Sequence, residues 1–290
     1  MVKYALFLGC TIPYRFPFME SAARRLMDHL GIEYEDVAEF TCCPDPVGIQ
    51  SIHKKTWLAV AARNLAIAEQ KGFDTVLTLC NGCFETLKVA NHELEEPKVR
   101  KIINDINKTV GREYNGTIRV KHLHEVLYDD IGIKTLSEKI TNPLDFTVAT
   151  HTGCHLLRPS EILQVDDPEF PTELDQLAEV TGVKSVHYLQ KNMCCGAGIR
   201  GCDEDGADSY SIAYEKLKNM AKAGAQALVL ECPTCLGQFD AGQRVINKQH
   251  NDEINLPVIY LAELLAIAMG LDVADGLKLH ATKTKSILPA

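Results

Sequence analysis

Asp74-Thr-Val-Leu-Thr-Leu-Cys-Asn-Gly-Cys83 and Gln226-Ala-Leu-Val-Leu-Glu-Cys-Pro-Thr-Cys235 are two versions of one stretch, a short apolar run that ends in Cys-x2-Cys. Each version follows a glycine, Gly72 or Gly224, and the two lie 152 residues apart. Short apolar runs bounded by turn residues are typical of buried strands in a parallel sheet. The pair therefore predicts that each half of the chain contains a buried strand with thiols at its carboxyl end.

Ten of the eleven cysteines repeat in the same way. The first half reads Cys-x31-Cys-Cys-x36-Cys-x2-Cys and the second reads Cys-x39-Cys-Cys-x36-Cys-x2-Cys. The first set is Cys10, Cys42, Cys43, Cys80 and Cys83, and the second is Cys154, Cys194, Cys195, Cys232 and Cys235. Five soft ligands per half are one more than a tetrahedral zinc site takes. They favour an iron–sulfur cluster of unusual shape or nuclearity.

The repeat extends to the segments around the cysteines. An apolar run ends at Gly9-Cys10 and another at Gly153-Cys154, and segments of helical period separate the predicted strands. Strands that alternate with helices pair in parallel and form open α/β sheets. We therefore expect an α/β fold of two pseudo-symmetric domains, residues 1–142 and 143–290, each a small open, mostly parallel sheet flanked by helices. Ligands of such sheets gather beyond the carboxyl ends of the strands, where these cysteines are expected.

Composition limits the classes of function. The 290 residues carry a net charge of −9, which argues against a generic nucleic-acid binder. The sequence shows no secretory signal and no apolar run of the roughly 18 residues that a membrane-spanning helix needs. We therefore expect a cytoplasmic protein. In a reducing cytosol, metal binding or thiol chemistry is a better explanation of many cysteines than structural disulfides.

Two other interpretations of the cysteines compete with an iron–sulfur centre. A zinc ribbon needs four ligands, which leaves Cys10 without a role. A thioredoxin-like dithiol at each Cys-x2-Cys leaves three thiols unexplained in both halves. Iron–sulfur binding uses all ten cysteines, and neighbouring thiolates such as Cys42 and Cys43 can reach two iron atoms or bridge them. The ferredoxin run Cys-x2-Cys-x2-Cys-x3-Cys-Pro is absent, so ordinary cubane clusters are not expected.

Over nearly the whole chain, the sequence closely resembles the cysteine-rich CCG family, in particular the heterodisulfide reductase B subunits of methanogens. The resemblance rests on both cysteine sets, including Cys80-Asn-Gly-Cys83, Cys194-Cys195-Gly196 and Cys232-Pro-Thr-Cys235. It implies that each set of five cysteines binds one noncubane [4Fe-4S] cluster. It also implies that the two clusters reduce the CoM-S-S-CoB heterodisulfide to two thiols. The first set departs from the pattern, because Pro44 follows Cys43 where glycine is typical.

The implied chemistry fits the duplication. Reduction of a disulfide takes two electrons, and an iron–sulfur cluster normally delivers one, so two clusters would each supply one electron and stabilise one departing thiolate at an iron. The sequence shows no flavin or ferredoxin motif. The resemblance implies that electrons come from two other heterodisulfide reductase components, the C subunit with ferredoxin-type clusters and the A subunit with a flavin. A hydrogenase or a formate dehydrogenase is a further expected component of a larger complex.

Two other functions remain open. The chain could be the iron–sulfur electron-transfer subunit of a lactate, glycolate, glycerol-phosphate or succinate oxidoreductase. It could instead be a metal-binding scaffold without turnover. Metal and sulfide analysis with electron paramagnetic resonance would distinguish these functions.

Several further features have weaker interpretations. Gly196-Ala-Gly-Ile-Arg-Gly201 spells the dinucleotide fingerprint Gly-x-Gly-x-x-Gly, but no clear strand precedes it, so a loop that approaches a cluster or an anionic substrate is the better interpretation. Cys202 is expected to be a free thiol, and the chain after Gly276 a mobile tail. Candidate substrate contacts, each equally compatible with an ordinary surface role, are His155, Arg158, Gly196, Gly198 and Arg200.

Overall fold

The computed structural model describes residues 3–202 and 205–284. It divides into two compact units. The first unit contains residues 3–15, Met27–Val126 and His155–Val165, and the second contains Phe16–Leu26, Leu127–Cys154 and the described residues from Asp166 onward. The boundary expected between residues 142 and 143 stays a prediction.

The first unit is built on four parallel strands in the order β2-β1-β3-β4. They are β1 (Tyr4–Phe7), β2 (Tyr34–Asp36), β3 (Thr75–Thr78) and β4 (Arg119–His122). All residues of β1 and β3 are buried, as expected of central strands that are covered on both faces. The predicted strand before Cys80 is therefore confirmed.

The second unit repeats this topology with the parallel order β6-β5-β7-β8. Its strands are β5 (Thr147–His151), β6 (Lys184–Ser185), β7 (Ala227–Leu230) and β8 (Val258–Tyr260). The prediction of an α/β fold with two small parallel sheets flanked by helices is confirmed.

Most of the helices lie in the connections between strands, and the last two follow the final strand, β8. In the chain up to residue 138 they are α1 (Thr11–Arg15), α2 (Pro17–Leu30), α3 (Gly48–Ile52), α4 (Lys54–Gln70), α5 (Asn81–Glu93), α6 (Pro97–Asn107), α7 (Leu123–Glu125) and α8 (Ile133–Glu138). After residue 153 they are α9 (Cys154–Leu157), α10 (Ser160–Leu163), α11 (Glu173–Glu179), α12 (Ala207–Lys222), α13 (Pro233–Phe239), α14 (Gly242–His250), α15 (Leu261–Ala268) and α16 (Ala274–Leu277). No helix within the described part of the chain is long and apolar enough to cross a membrane.

Strand register shows which residues correspond between the two sheets. Phe7 in β1 pairs with Thr78 in β3, and His151 in β5 pairs with Leu230 in β7. Thr78 and Leu230 are 152 residues apart, which is also the offset of the cysteine repeat. Phe7 and His151 therefore occupy equivalent positions at the ends of their strands.

The chain beyond Gly276 is ordered as far as the structure describes it, so the expected mobile tail is wrong for these residues. His280 and Thr282 are buried, and the Thr282 hydroxyl accepts a hydrogen bond from the Val258 amide at 3.1 Å. The Asp240 carboxylate accepts hydrogen bonds from the amides of Ala281 and Thr282 at 2.8 and 2.7 Å. Polar side chains of this segment thus extend the hydrogen bonding of the second unit. Residues 285–290 lie outside the described part.

Candidate metal centres

Five thiols converge beyond the carboxyl ends of β1 and β3 in the first unit. Cys10 follows β1, Cys80 is the N-cap of α5, Cys83 lies in the first turn of α5, and the adjacent pair Cys42 and Cys43 lies in the loop after β2. The sulfur atoms of Cys10 and Cys42 are 3.7 Å apart. Hydrogen-bonding interactions link Cys42 to Cys43, Cys43 to Cys83, and Cys83 to Cys80. The five thiols therefore form one connected group, the first thiol group.

The second unit contains an equivalent second thiol group. The sulfur atoms of Cys154 and Cys194 are 3.7 Å apart, and those of Cys195 and Cys235 are 3.4 Å apart. Cys194 also interacts with Cys195, and Cys235 with Cys232. The thiols follow one another in the same order as in the first group. Cys202 is exposed and takes no part in these interactions.

The thiol geometry suits a thiophilic metal. All eleven cysteines are free, and the separations of 3.4–3.7 Å are much longer than the roughly 2.05 Å of a disulfide bond. Two sulfurs bound to one tetrahedral metal ion at about 2.3 Å stand about 3.7 Å apart. Each thiol group offers five soft sulfur donors, which suits an iron–sulfur cluster better than a four-ligand zinc site.

Burial gives each thiol group an open side and a closed side. Cys10 and Cys42 are exposed, whereas Cys43, Cys80 and Cys83 are buried. In the second group, Cys154 and Cys194 are partly exposed, whereas the other three thiols are buried. A bound cofactor would therefore be reachable from the side of the first two cysteines of each motif.

The thiols perturb one another's proton affinity. Hydrogen bonds from Cys42 and Cys83 hold the pKa of Cys43 below its usual range, and hydrogen bonds from Cys154 and Cys195 do the same for Cys194. The pKa of Cys83 is raised because it donates to Cys43 and Cys80 and is buried. The pKa of Cys235 is raised for the same reasons, through Cys195 and Cys232. Crowded thiols resist ionising together unless a cation compensates their charge, as a metal ion does.

One buried histidine stands beside the second thiol group. A ring nitrogen of His151 lies within 4.8 Å of the Cys195 and Cys235 sulfurs, and the side chain is 2% exposed. Its Nε2 has no hydrogen-bond partner among the described residues. Burial, followed by the positive charge of Lys216, lowers the pKa of His151 to about 3, so the ring is neutral. Sequence reasoning missed this residue, although aligning Cys10 with Cys154 would have placed it opposite Phe7.

The glycines after the second cysteine pair hold the backbone close to the thiols. The Gly196 amide lies 3.3 Å from the Cys194 sulfur, and Gly198 lies in a 3-10 helix, Ala197–Ile199. A side chain at Gly196 would meet the Ser209 carbonyl oxygen at 2.5 Å. This loop does not run from a strand into an α-helix, so the context of a dinucleotide fingerprint is missing.

The basic side chains predicted to bind substrate already have protein partners. His155 Nδ1 pairs with the Glu85 carboxylate in the first unit. Arg200 pairs with the side-chain oxygen of Gln238 in the second, and its guanidinium lies 5.0 Å from the centre of the Tyr210 ring. Arg158 lies just before Pro159, the N-cap of α10, and it also interacts with other residues of the protein. Their contact with a substrate stays a prediction.

Two parallel sheets, each with five converging thiols, define a duplicated cysteine-rich protein with two candidate metal centres. The family described as "Cysteine-rich domain" (CCG) matches residues 4–88 and 148–240. The matched ranges contain both thiol groups.

Similar proteins point to one branch of this family. The chain is 40% identical over 271 residues to the B subunit of the ferredoxin/F(420)H(2)-dependent CoB-CoM heterodisulfide reductase of Methanosarcina acetivorans, covering 93% of this chain and 90% of that protein. It is 38% identical to a protein of Archaeoglobus profundus that is described as like the heterodisulfide reductase B subunit, covering 94% and 92%. The chain belongs to the CCG family, in the group of heterodisulfide reductase B subunits.

More distant similarities are also present. The chain is 28% identical to the "8-methylmenaquinol:fumarate reductase membrane anchor subunit" of Wolinella succinogenes, covering 94% of each chain. Among solved structures, a hypothetical protein from Helicobacter pylori superposes with a TM-score of 0.76 at 17% identity. The match covers 97% of this chain and 52% of that one. At this identity the structural match supports the fold alone.

Proposed function

We propose that this chain is the catalytic component of a disulfide reductase that reduces the CoM-S-S-CoB heterodisulfide to two thiols. The observation that carries the proposal is the pair of five-thiol groups, linked in the same order, in a chain 40% identical to a heterodisulfide reductase B subunit. Two equivalent centres match a reaction that consumes two electrons and two protons for each disulfide.

The ten repeated cysteines would hold two noncubane [4Fe-4S] clusters, one per thiol group. Each cluster, when bound, supplies one electron and an iron that stabilises a departing thiolate. The protein controls access, because the exposed Cys10 and Cys42 leave one side of the first centre open while Cys43, Cys80 and Cys83 are shielded. Cys154 and Cys194 leave the corresponding side of the second centre partly open.

The substrate contacts of this proposal are basic side chains and backbone amides. A substrate with sulfonate and phosphate groups needs cationic or N–H partners. Arg158, Arg200, His155 and the backbone at Gly196 and Gly198 provide such groups near the cysteines in sequence. Gly196 lies directly beside the second thiol group, where its amide donates a hydrogen bond to the Cys194 sulfur.

The proposed chain works within a complex. Its relatives carry the names of heterodisulfide reductase subunits, so partner subunits are implied. We propose as electron donors the C subunit with ferredoxin-type clusters and the A subunit with a flavin, together with a hydrogenase or a formate dehydrogenase in a larger complex. We further propose a cytoplasmic location.

A second candidate is an iron–sulfur protein that only transfers electrons, as in an oxidoreductase of lactate, glycolate, glycerol phosphate or succinate. The observation in favour of this candidate is the 28% identity to the fumarate reductase membrane anchor subunit. The two candidates differ in one property, since only the reductase binds a disulfide at its clusters.

Purification under anaerobic conditions, followed by iron and sulfide analysis and electron paramagnetic resonance, tests the proposal. We expect about eight iron atoms per chain, and a cluster spectrum that changes when the heterodisulfide is added to the oxidised protein. Iron and sulfide with an unchanged spectrum would favour the electron-transfer protein. Zinc without iron would overturn both candidates.

A further inference from the structure

The second unit contains a buried ammonium group without a carboxylate partner. Lys216 lies in α12 and is 0% exposed. Its Nζ donates hydrogen bonds to the carbonyl oxygens of Gln190, Lys191 and Met193 at 3.0, 3.0 and 2.7 Å, and lies 5.5 Å from the centre of the Tyr188 ring. No carboxylate among the described residues forms an ion pair with it. A buried charge is costly unless an opposite charge compensates it.

The groups that would compensate this ammonium are the thiols of the second thiol group. The three carbonyls that bind Lys216 lie in the loop that leads into Cys194 and Cys195. Burial lowers the pKa of Lys216 to about 8, and negative charge on Cys235 and Cys195 opposes this shift. Cys194 and Cys154 act in the same direction. The hydrogen bonds satisfy the donors of Lys216, and the thiolates of a metal-bound second thiol group would supply its counter-charge.

The equivalent position in the first half is neutral. Asn64 in α4 precedes Lys216 by 152 residues, and α4 and α12 both end just before glycines at the same offset, Gly72 and Gly224. The Asn64 amide donates to the Cys42 carbonyl oxygen at 3.0 Å and accepts from the Thr41 amide at 3.0 Å. Asn64 therefore anchors the loop before its cysteine pair, as Lys216 does, but contributes no charge.

A second difference between the two units also favours reduction of the second cluster. His151 places a ring nitrogen beside Cys195 and Cys235, whereas Phe7 holds the equivalent strand position in the first unit. Polar groups that face cluster sulfurs and positive charge near a cluster favour its reduced form, because reduction adds negative charge. At these two positions, the second centre is therefore better suited than the first to hold an added electron.

We propose that Lys216 is a positioning residue that supplies the counter-charge of the second cluster and keeps its reduction potential above that of the first. An electron that enters the pair of clusters then resides preferentially on the second one. This inference rests on the proposed function, since it needs both thiol groups to hold iron–sulfur clusters.

The test compares single-cluster forms of the full-length chain by redox titration monitored with electron paramagnetic resonance. The double variant Cys42→Ala/Cys43→Ala leaves the second cluster, and Cys194→Ala/Cys195→Ala leaves the first. We expect the second cluster to be reduced at the higher potential. Adding Lys216→Met to the form with the second cluster should lower its ratio of reduced to oxidised cluster at least tenfold at fixed ambient potential, which is about 59 mV for one electron.

Lys218→Met is the matched control, because it removes an ammonium from the same helix. Lys218 pairs with Asp252 at 2.9 Å and its side chain is 37% exposed, so we expect no shift of the cluster potential. Iron and sulfide content is measured for every variant. If Lys216→Met loses its cluster, the test relies on the two single-cluster forms that keep Lys216. In that case, the inference is overturned unless the second cluster is reduced at the higher potential.

The possible outcomes distinguish a failure at Lys216 from a failure of the proposed function. Equal potentials, a higher potential at the first cluster, or an unshifted potential in an iron-replete Lys216→Met variant would overturn this inference and leave the proposed function intact. Zinc in place of iron and sulfide would overturn the proposed function and this inference with it.

Discussion

At the scale of single residues, Gly9 controls how closely the backbone approaches the first thiol group. Its φ is +67°, and a β-carbon there would lie 2.6 Å from the Cys83 sulfur. We predict that Gly9→Ala displaces a cluster ligand and lowers the iron content of the first centre. Gly72→Ala is the control. Its φ of +82° brings the same backbone strain, but no atom lies within 4 Å of the added β-carbon. Equal iron content in the two variants would contradict the prediction.

His151 is the second residue with a testable role. We predict that His151→Phe, which installs the side chain of the first half, changes the paramagnetic resonance spectrum of the second cluster and lowers its potential. The spectrum of the first cluster should remain as in the wild type. His250→Phe is the control, because His250 also has a buried Nε2 without a hydrogen-bond partner among the described residues, and its ring stacks on Tyr214 at 3.9 Å. An identical second-cluster spectrum in His151→Phe would show that the imidazole does not act on that cluster.

At the scale of elements, α5 holds the loop that carries the first cysteine pair. The buried Thr86 hydroxyl in α5 donates to the Pro44 carbonyl oxygen at 3.0 Å, directly after Cys43. We predict that Thr86→Val lowers the stability of the anaerobically purified protein by about 1–3 kcal/mol, because a buried carbonyl loses its partner. Thermal unfolding measures the effect. The exposed Thr109→Val, which removes a hydroxyl bond to Ile106 at 2.7 Å, should change stability by less than about 0.5 kcal/mol.

The sequence pattern predicts secondary-structure elements well where a segment is apolar throughout. The runs before Cys80 and Cys232 are apolar throughout, and both form fully buried strands, β3 and β7. The segment of helical period over residues 51–71 is divided between α3 and α4, because His53 leaves the helical conformation and its Nδ1 accepts a hydrogen bond from the Thr56 amide at 3.1 Å. Apolar periodicity continues through such a break, so the pattern does not reveal it.

At the scale of the whole molecule, the repeat of cysteines and strands was enough to predict two similar parallel sheets and the convergence of five thiols in each. It could not show that His155–Val165 packs with the first unit, or Phe16–Leu26 with the second, because tertiary contacts decide this and the local pattern does not. His151 and Lys216 were missed for a related reason. A lone histidine in a strand and a lone lysine in a helix become informative only when the fold places them beside the thiols.

The last prediction concerns the duplication itself. If the proposed function is right, splitting a disulfide takes two electrons and each cluster would carry one, so both centres would have to work in every turnover. We predict that Cys42→Ala/Cys43→Ala and Cys194→Ala/Cys195→Ala each abolish heterodisulfide reduction, measured with a reduced viologen dye as the donor so that partner subunits are not needed. Cys202→Ala, which removes an exposed thiol outside both groups, should keep the wild-type rate. If half the activity survived the loss of one cluster, the two centres would be independent sites, and the requirement for both in one reaction would be wrong.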